Sequence, residues 1–211
     1  MGLDKEVIAC TPAPINPAAF NRQCRIPHGV RSGHIRQAMQ DFIEFLGFIN
    51  LQLHGKRIER LESFLMPANF SSMVGEFMAA AIPKYCKTVV RNKYHNGHPD
   101  LLPKGRYPGD SILHAEEGIE IKASRHLSGW QGHNPEDVWL LVFCFDSNTS
   151  RDAARGIDPR PFRFEKALGA LLCKQDWQFS GRSATSRRTI TASVKPSGLA
   201  KMEANWVYRA T

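Results

Sequence analysis

The stretch Ile119-Glu120-Ile121-Lys122, followed downstream by Val138-Trp139-Leu140-Leu141-Val142-Phe143-Cys144-Phe145, decides the fold. The first segment alternates apolar and polar residues. Side chains on a strand leave on opposite faces with a period of two, so Ile119 and Ile121 are directed to a core while Glu120 and Lys122 share the other face. The second segment has no polar break, as expected of a central strand covered on both sides. Ile112 to His114, separated from the first segment by Glu116 to Gly118, reads as the other arm of a hairpin.

Upstream the period changes. Ile35, Met39, Phe42, Leu46, Ile49 and Leu53 recur at steps of three and four, which puts them on one face of a helix beginning near Ser32. After a charged stretch around Lys56 to Glu62, a second helix is expected from about Ser71 to Ile82. Met73, Phe77 and Ala80 form its buried stripe and Pro83 ends it. The first thirty residues carry Pro12, Pro14, Pro17 and Pro27 and read as an extended arm or irregular wrap. Downstream, Phe162 to Leu172 is ambiguous between strand and helix, with Glu165 to Leu172 favouring helix. Thr189 to Val194 has a hairpin-like alternation, and Trp206-Val207-Tyr208 reads as a final strand. Helices packed on a central mixed β-sheet give an α/β or α+β layered domain. The expected division is an N-terminal arm (1–30), a core (31–175) and a basic, β-rich C-terminal extension (176–211) packed on the core.

The totals limit the function classes. The chain has 211 residues, enough for one main core, and an ordinary globular composition with 42% hydrophobic and 23% charged residues. The run from Val138 to Phe145 is far shorter than the ~20 residues of a membrane span. Met1 to Ala9 carries acidic residues where a secretory signal would be basic, so no membrane association and a cytoplasmic location are expected. Cys10, Cys24, Cys86, Cys144 and Cys173 are odd in number and scattered with no CxxC pair, which favours reduced thiols over zinc or redox chemistry. The net charge is +8, and 12 basic against 5 acidic residues between Arg151 and Arg209 account for nearly all of it. Such a surplus suits a polyanionic partner, nucleic acid before a membrane surface. No GxxxxGK[ST] is present, so no nucleotide cofactor is expected.

One constellation carries chemistry. Hydrolysing a phosphodiester requires a divalent cation, an activated water and positive charge near the developing transition state. Mg²⁺ takes oxygen ligands, usually one or two protein carboxylates completed by water and phosphate. The sequence offers His98-Pro99-Asp100 and, after nineteen intervening residues, Glu120-Ile121-Lys122. Taken singly, Pro-Asp is also a common turn pair, and Glu120 with Lys122 could be the solvent face of an amphipathic strand.

Pro99-Asp100 followed by Glu120-x-Lys122 on an apolar strand resembles the signature of the PD-(D/E)xK nuclease superfamily, which includes most type II restriction endonucleases. The resemblance runs from about Ser71 to Asp146 and implies a restriction-endonuclease-like core. It implies that Asp100 and Glu120 ligate Mg²⁺, with Mn²⁺ as a substitute, that Ile121 adds its backbone carbonyl, and that Lys122 orients or activates the water. Glu76, on the helix before the aspartate, stands where that superfamily often places a further glutamate, to hold a metal or support Lys122. Ser124 and Arg125, just after the strand, would contact the DNA backbone.

Trp130, Gln131, His133 and Asn134 form a polar and aromatic loop that is either a groove contact or a turn. His95 and His98 are three apart but have no second pair at zinc-ligand spacing, so a place near the phosphate or in a loop is expected ahead of structural zinc. Arg182, Arg187 and Arg188 lie among serines and threonines, the donors proteins place on phosphate oxygens, and are expected to face double-stranded DNA. The expected protein is a Mg²⁺-dependent endonuclease making double-strand breaks as a homodimer, of the sequence-specific restriction type. A structure-selective repair or recombination nuclease and a non-catalytic DNA-binding protein are the alternatives.

Overall fold

The computed structural model describes residues 5–132, 134–180 and 191–210. Among the described residues it is a mixed α+β protein with five α-helices and three sheets. The main sheet has the order β3 (Glu120–Ser124), β5 (Val138–Asp146), β6 (Arg163–Leu172), β9 (Trp206–Arg209). β3 runs parallel to β5, and the other pairs are antiparallel. A two-stranded ribbon joins β1 (Val89–Arg91) to β2 (Leu101–Pro103). A third sheet has β8 (Thr191–Val194) between β4 (Gln131–Gly132) and β7 (Trp177–Ser180).

Both faces of the main sheet are covered, which is why β5 has no polar break. On one face lie α2 (Ser32–Gly55) and α4 (Pro67–Tyr85), and between them and the sheet Phe42, Phe70, Phe143, Phe145, Phe162 and Phe164 pack into an aromatic core. On the other face Leu140, Val142, Cys144, Leu168 and Leu172 meet Trp130, Trp177 and Val194 of the small sheet and Met202 of α5 (Pro196–Ala204). The C-terminal segment therefore supplies both a covering layer and, through β9, the fourth strand of the main sheet.

α2 begins at Ser32, where the periodicity places it, and Ile35, Met39, Phe42 and Leu46 are fully buried. α4 differs from expectation at both ends. It starts at Pro67, whose fixed φ suits the first helical position, and it continues through Pro83 to Tyr85. The last turn is tethered across to α2, where Asp41 accepts from Tyr85 Oη at 2.6 Å and from Lys84 Nζ at 2.8 Å. Its buried stripe is Phe70, Val74, Met78 and Ile82; Ala80 is exposed and Phe77 turns sideways onto Phe42 and Phe45 of α2.

Two further expectations are corrected. Glu165 to Leu172 is strand, not helix: Leu168, Leu171 and Leu172 mimic helical spacing, but Leu171 points to solvent, and pairing to β5 from Val138↔Leu172 to Asp146↔Arg163 dictates the conformation. Ile112 to His114 is not a hairpin arm to β3. The residue before β3, Ile119, exchanges both backbone hydrogen bonds with Leu101, while Leu113 accepts from the His98 N–H.

In the N-terminal arm a short helix, α1 (Lys5–Ala9), precedes the irregular part. The arm then crosses the sheet, with Ala13 N–H donating to Phe162 and Asn21 N–H to Val207. α3 (Leu61–Phe64) fills the link between the long helices. Thr189, Ile190 and the arginines at 182, 187 and 188 lie outside the described residues. Among the described residues, no helix is long and apolar enough to cross a membrane, and all five cysteines are free thiols.

Candidate active site

β3 is one of the two edge strands of the main sheet, and its outer edge and polar face together build the site. Ile119 and Ile121 are buried in the helix-side core, which leaves Glu120 and Lys122 on the opposite face. Asp100 comes from the residue just before β2. Its backbone carbonyl accepts from Asn92, and the buried Asn92 side chain in turn holds the Pro99 carbonyl at 3.2 Å and the Ile112 carbonyl at 2.9 Å. Asp100 Oδ2 accepts the Ile121 N–H at 2.8 Å, so a carboxylate occupies a donor that an outer strand otherwise presents to solvent.

N–H and C=O of one strand residue leave on the same side of the ladder, so the Ile121 carbonyl faces the Asp100 side as well. α4 packs against this edge at Gly75, where a Cβ would stand 3.8 Å from the Ala123 nitrogen and 4.0 Å from the Ile121 oxygen, ordinary contact distances. Ser71, Ser72, Gly75 and Glu76 of α4 close a cavity of about 200 Å³ over Asp100, Glu120, Ile121 and Lys122.

Glu120 is gripped on both oxygens. Lys122 Nζ donates to Oε1 at 2.7 Å, and His98 Nδ1 lies 3.0 Å from Oε2. The other ring nitrogen of His98, Nε2, is 3.3 Å from Glu136 Oε2. A ring with a carboxylate on each nitrogen donates on both sides only as imidazolium. Burial disfavours the His98 charge, but the Glu120 hydrogen bond and the two carboxylates outweigh it and raise its pKa. Burial and the Glu120 charge push the Asp100 carboxyl up to about 7, against the Ile121 N–H and Lys122. For Glu120 itself burial works upward, yet the His98 hydrogen bond and the Lys122 charge bring it down to about 2. Burial would lower Lys122, but Glu120 raises it, so it is held as a cation.

Glu76 reaches the cavity rim, and its carboxylate is ion-paired to Arg91 rather than to Lys122. Ser124 lines the neighbouring groove and accepts from the His126 N–H at 2.9 Å. The Arg125 guanidinium is turned into the fold, donating to the Ser147 and Asn148 carbonyls against the rings of Phe70 and Phe145. Trp130 is buried in the second core, with its indole N–H on the His126 carbonyl, whereas Gln131 and Asn134 are exposed; His133 is outside the described residues. His95 is exposed, apart from the cluster that holds His98.

The sequence points to His98 only as half of a histidine pair near the phosphate or in a loop, and it does not point to Glu136 at all. The usable signal was the position of His98 two residues before Asp100; its link to Glu136 depends on the fold alone. Among the described residues no group of three or more His, Cys, Asp or Glu side chains is arranged to hold a metal ion. The carboxylates of Asp100 and Glu120 and the strand carbonyl of Ile121 are hard oxygen donors of the kind Mg²⁺ takes from protein, and the raised Asp100 pKa reflects burial first and the Glu120 charge second. Comparison with protein-family models, curated proteins and solved structures finds no match to this chain.

Proposed function

We propose that the chain is a Mg²⁺-dependent endonuclease that hydrolyses DNA phosphodiester bonds on a restriction-endonuclease-like core of the PD-(D/E)xK kind. The observation that carries this reading is the convergence of Asp100, Glu120 and Lys122, from two separate segments, on one cavity at the edge of the main sheet. An amphipathic strand facing solvent does not need Asp100 on its edge, a histidine clamp on its glutamate, or a helix closing over both.

In this reading Asp100, Glu120 and the Ile121 carbonyl hold the cation, which when bound polarises the phosphate and makes its water acidic. Lys122 holds the attacking water in line and sets a positive charge beside the oxygens that gain charge. A groove of about 680 Å³ shares Ser71, Ser72, Lys122 and Ala123 with the cavity and continues past Ser124, His126 and Gln131. Its hydroxyls, amide and imidazole suit the sugar-phosphate backbone of a strand. Arg182, Arg187 and Arg188 contribute further phosphate contacts. We further propose a restriction-type enzyme that acts as a homodimer, since cutting two strands at one site requires two such cavities.

The test is supercoiled plasmid and phage DNA incubated with the protein in Mg²⁺ or in EDTA. Discrete Mg²⁺-dependent fragments support a sequence-specific endonuclease; a smear or nicks favour a structure-selective or nonspecific one. DNA binding without cutting overturns the catalytic reading.

A further inference from the structure

Glu120 and Lys122 stand two apart on one strand face, an arrangement that by itself closes a direct ion pair and lets the carboxylate follow a flexible lysine. Here the second carboxylate oxygen is held from another part of the chain. His98 Nδ1 is 3.0 Å from Glu120 Oε2, and Nε2 is 3.3 Å from Glu136 Oε2, so both edges of the ring are fixed. The His98 backbone is fixed too, its N–H donating to Leu113 and its carbonyl accepting from Ala115. Glu136 sits in the segment before β5, and its carbonyl accepts the Trp177 indole N–H at 2.9 Å. Each carboxylate oxygen has two lone pairs, so Lys122 on Oε1 and His98 on Oε2 leave acceptor capacity on both.

We propose that His98 is a positioning residue that holds Glu120 in the orientation in which it ligates a divalent cation, and that Glu136 holds the His98 ring. The inference rests on the nuclease reading above. His98 touches neither substrate nor reacting atoms in this scheme; it acts through Glu120, as outer-shell partners of metal ligands do.

The experiment is calorimetric titration of the full chain with Mn²⁺ in the absence of DNA, for wild type, His98→Ala, His98→Gln and Glu136→Gln. It is accompanied by melting curves and by the Mn²⁺ dependence of plasmid cleavage. Loss of such a partner typically weakens metal binding about ten- to a hundredfold. His98→Ala is expected to show that loss, with cleavage recovering at raised Mn²⁺. His98→Gln, which keeps a donor for Glu120, recovers part of the affinity, and Glu136→Gln weakens binding about tenfold. Unchanged Mn²⁺ affinity in folded His98→Ala overturns the inference, as does cleavage lost at saturating Mn²⁺ with affinity intact. Should His98→Ala fail to fold, the near-isosteric Glu136→Gln decides, and wild-type affinity there overturns it. A wild-type chain that neither binds Mn²⁺ nor cuts DNA overturns the nuclease reading itself, and this inference with it.

Discussion

Ile121 donates its backbone N–H to Asp100 Oδ2 at 2.8 Å, which draws the Asp100 carboxyl against the outer strand beside the Glu120 charge. The bond favours the carboxylate, but burial and Glu120 oppose it more strongly, and the carboxyl sits at about 7. As pH rises from about 4 to about 7 the unfolded Asp100 ionises while the folded one keeps its proton, so stability is lost across that window and stays lost above it. Glu120 runs the other way. Held at about 2, it contributes stability that is fully present above its unfolded value and is lost as pH falls toward 2. Asp100→Asn keeps an acceptor for Ile121 and removes the penalty. In EDTA at pH 8 this variant is expected to melt several degrees above wild type, a difference that shrinks toward zero near pH 4. Equal melting at pH 8 would show that Asp100 carries no such penalty.

If the proposed nuclease reading holds, Lys122 is the residue whose loss separates catalysis from folding. Its ammonium is 2.7 Å from Glu120 Oε1, and after Lys122→Ala the glutamate still has His98 on its other oxygen, so the strand keeps its local pairing. Removing one preorganised charge-stabilising group costs about 10²–10³-fold in rate. Cleavage by Lys122→Ala is expected to fall by at least that factor, with DNA binding and melting temperature near wild type. Wild-type cleavage by the variant would remove Lys122 from the chemistry.

Gly169 tests the sheet that carries the site. It faces Leu141 across the β5–β6 pairing, and the Trp139 ring occupies the space where a Cβ would be. Gly169→Ala must displace that ring or shift the strand, an overpacking cost of about 1–3 kcal/mol. For a chain of this size that corresponds to a fall in Tm of several degrees. An unchanged Tm would mean that Trp139 moves aside freely.

What the sequence discloses depends on how local the cause is. The covered strand Val138 to Phe145, the helix from Ser32 and the alternation at Glu120 and Lys122 are written in neighbouring residues, and each was legible. The start of α4 is marked by Pro67 at its first helical position, a signal that stands alone because Met66 offers no capping side chain. Glu165 to Leu172 has spacing that favours helix, yet it is strand because pairing with β5 sets its conformation. At the site, the Asp100 and Glu120-x-Lys122 segments could be quoted as a pattern, but not their meeting through the Ile121 N–H. The grip of His98 on Glu120 and Glu136 joins three segments and has no linear signature.

In the proposed nuclease reading, the basic sequence after β7 supplies further phosphate contacts. Each phosphate neutralised releases counterions, and the slope of log K against log salt changes by roughly 0.9 per contact on duplex DNA. If Arg187 and Arg188 each meet a phosphate, the double substitution Arg187→Ala, Arg188→Ala flattens that slope by about two units, with the loss of affinity greatest at low salt. Because phosphate contacts position the protein without reading bases, any fragment pattern should persist at higher protein concentration. Binding measured by fluorescence anisotropy between low and moderate salt checks the first expectation, and end-mapping of the fragments checks the second. A slope equal to wild type would take these two arginines out of the interface. A changed cutting pattern would instead make at least one of them a reader of bases.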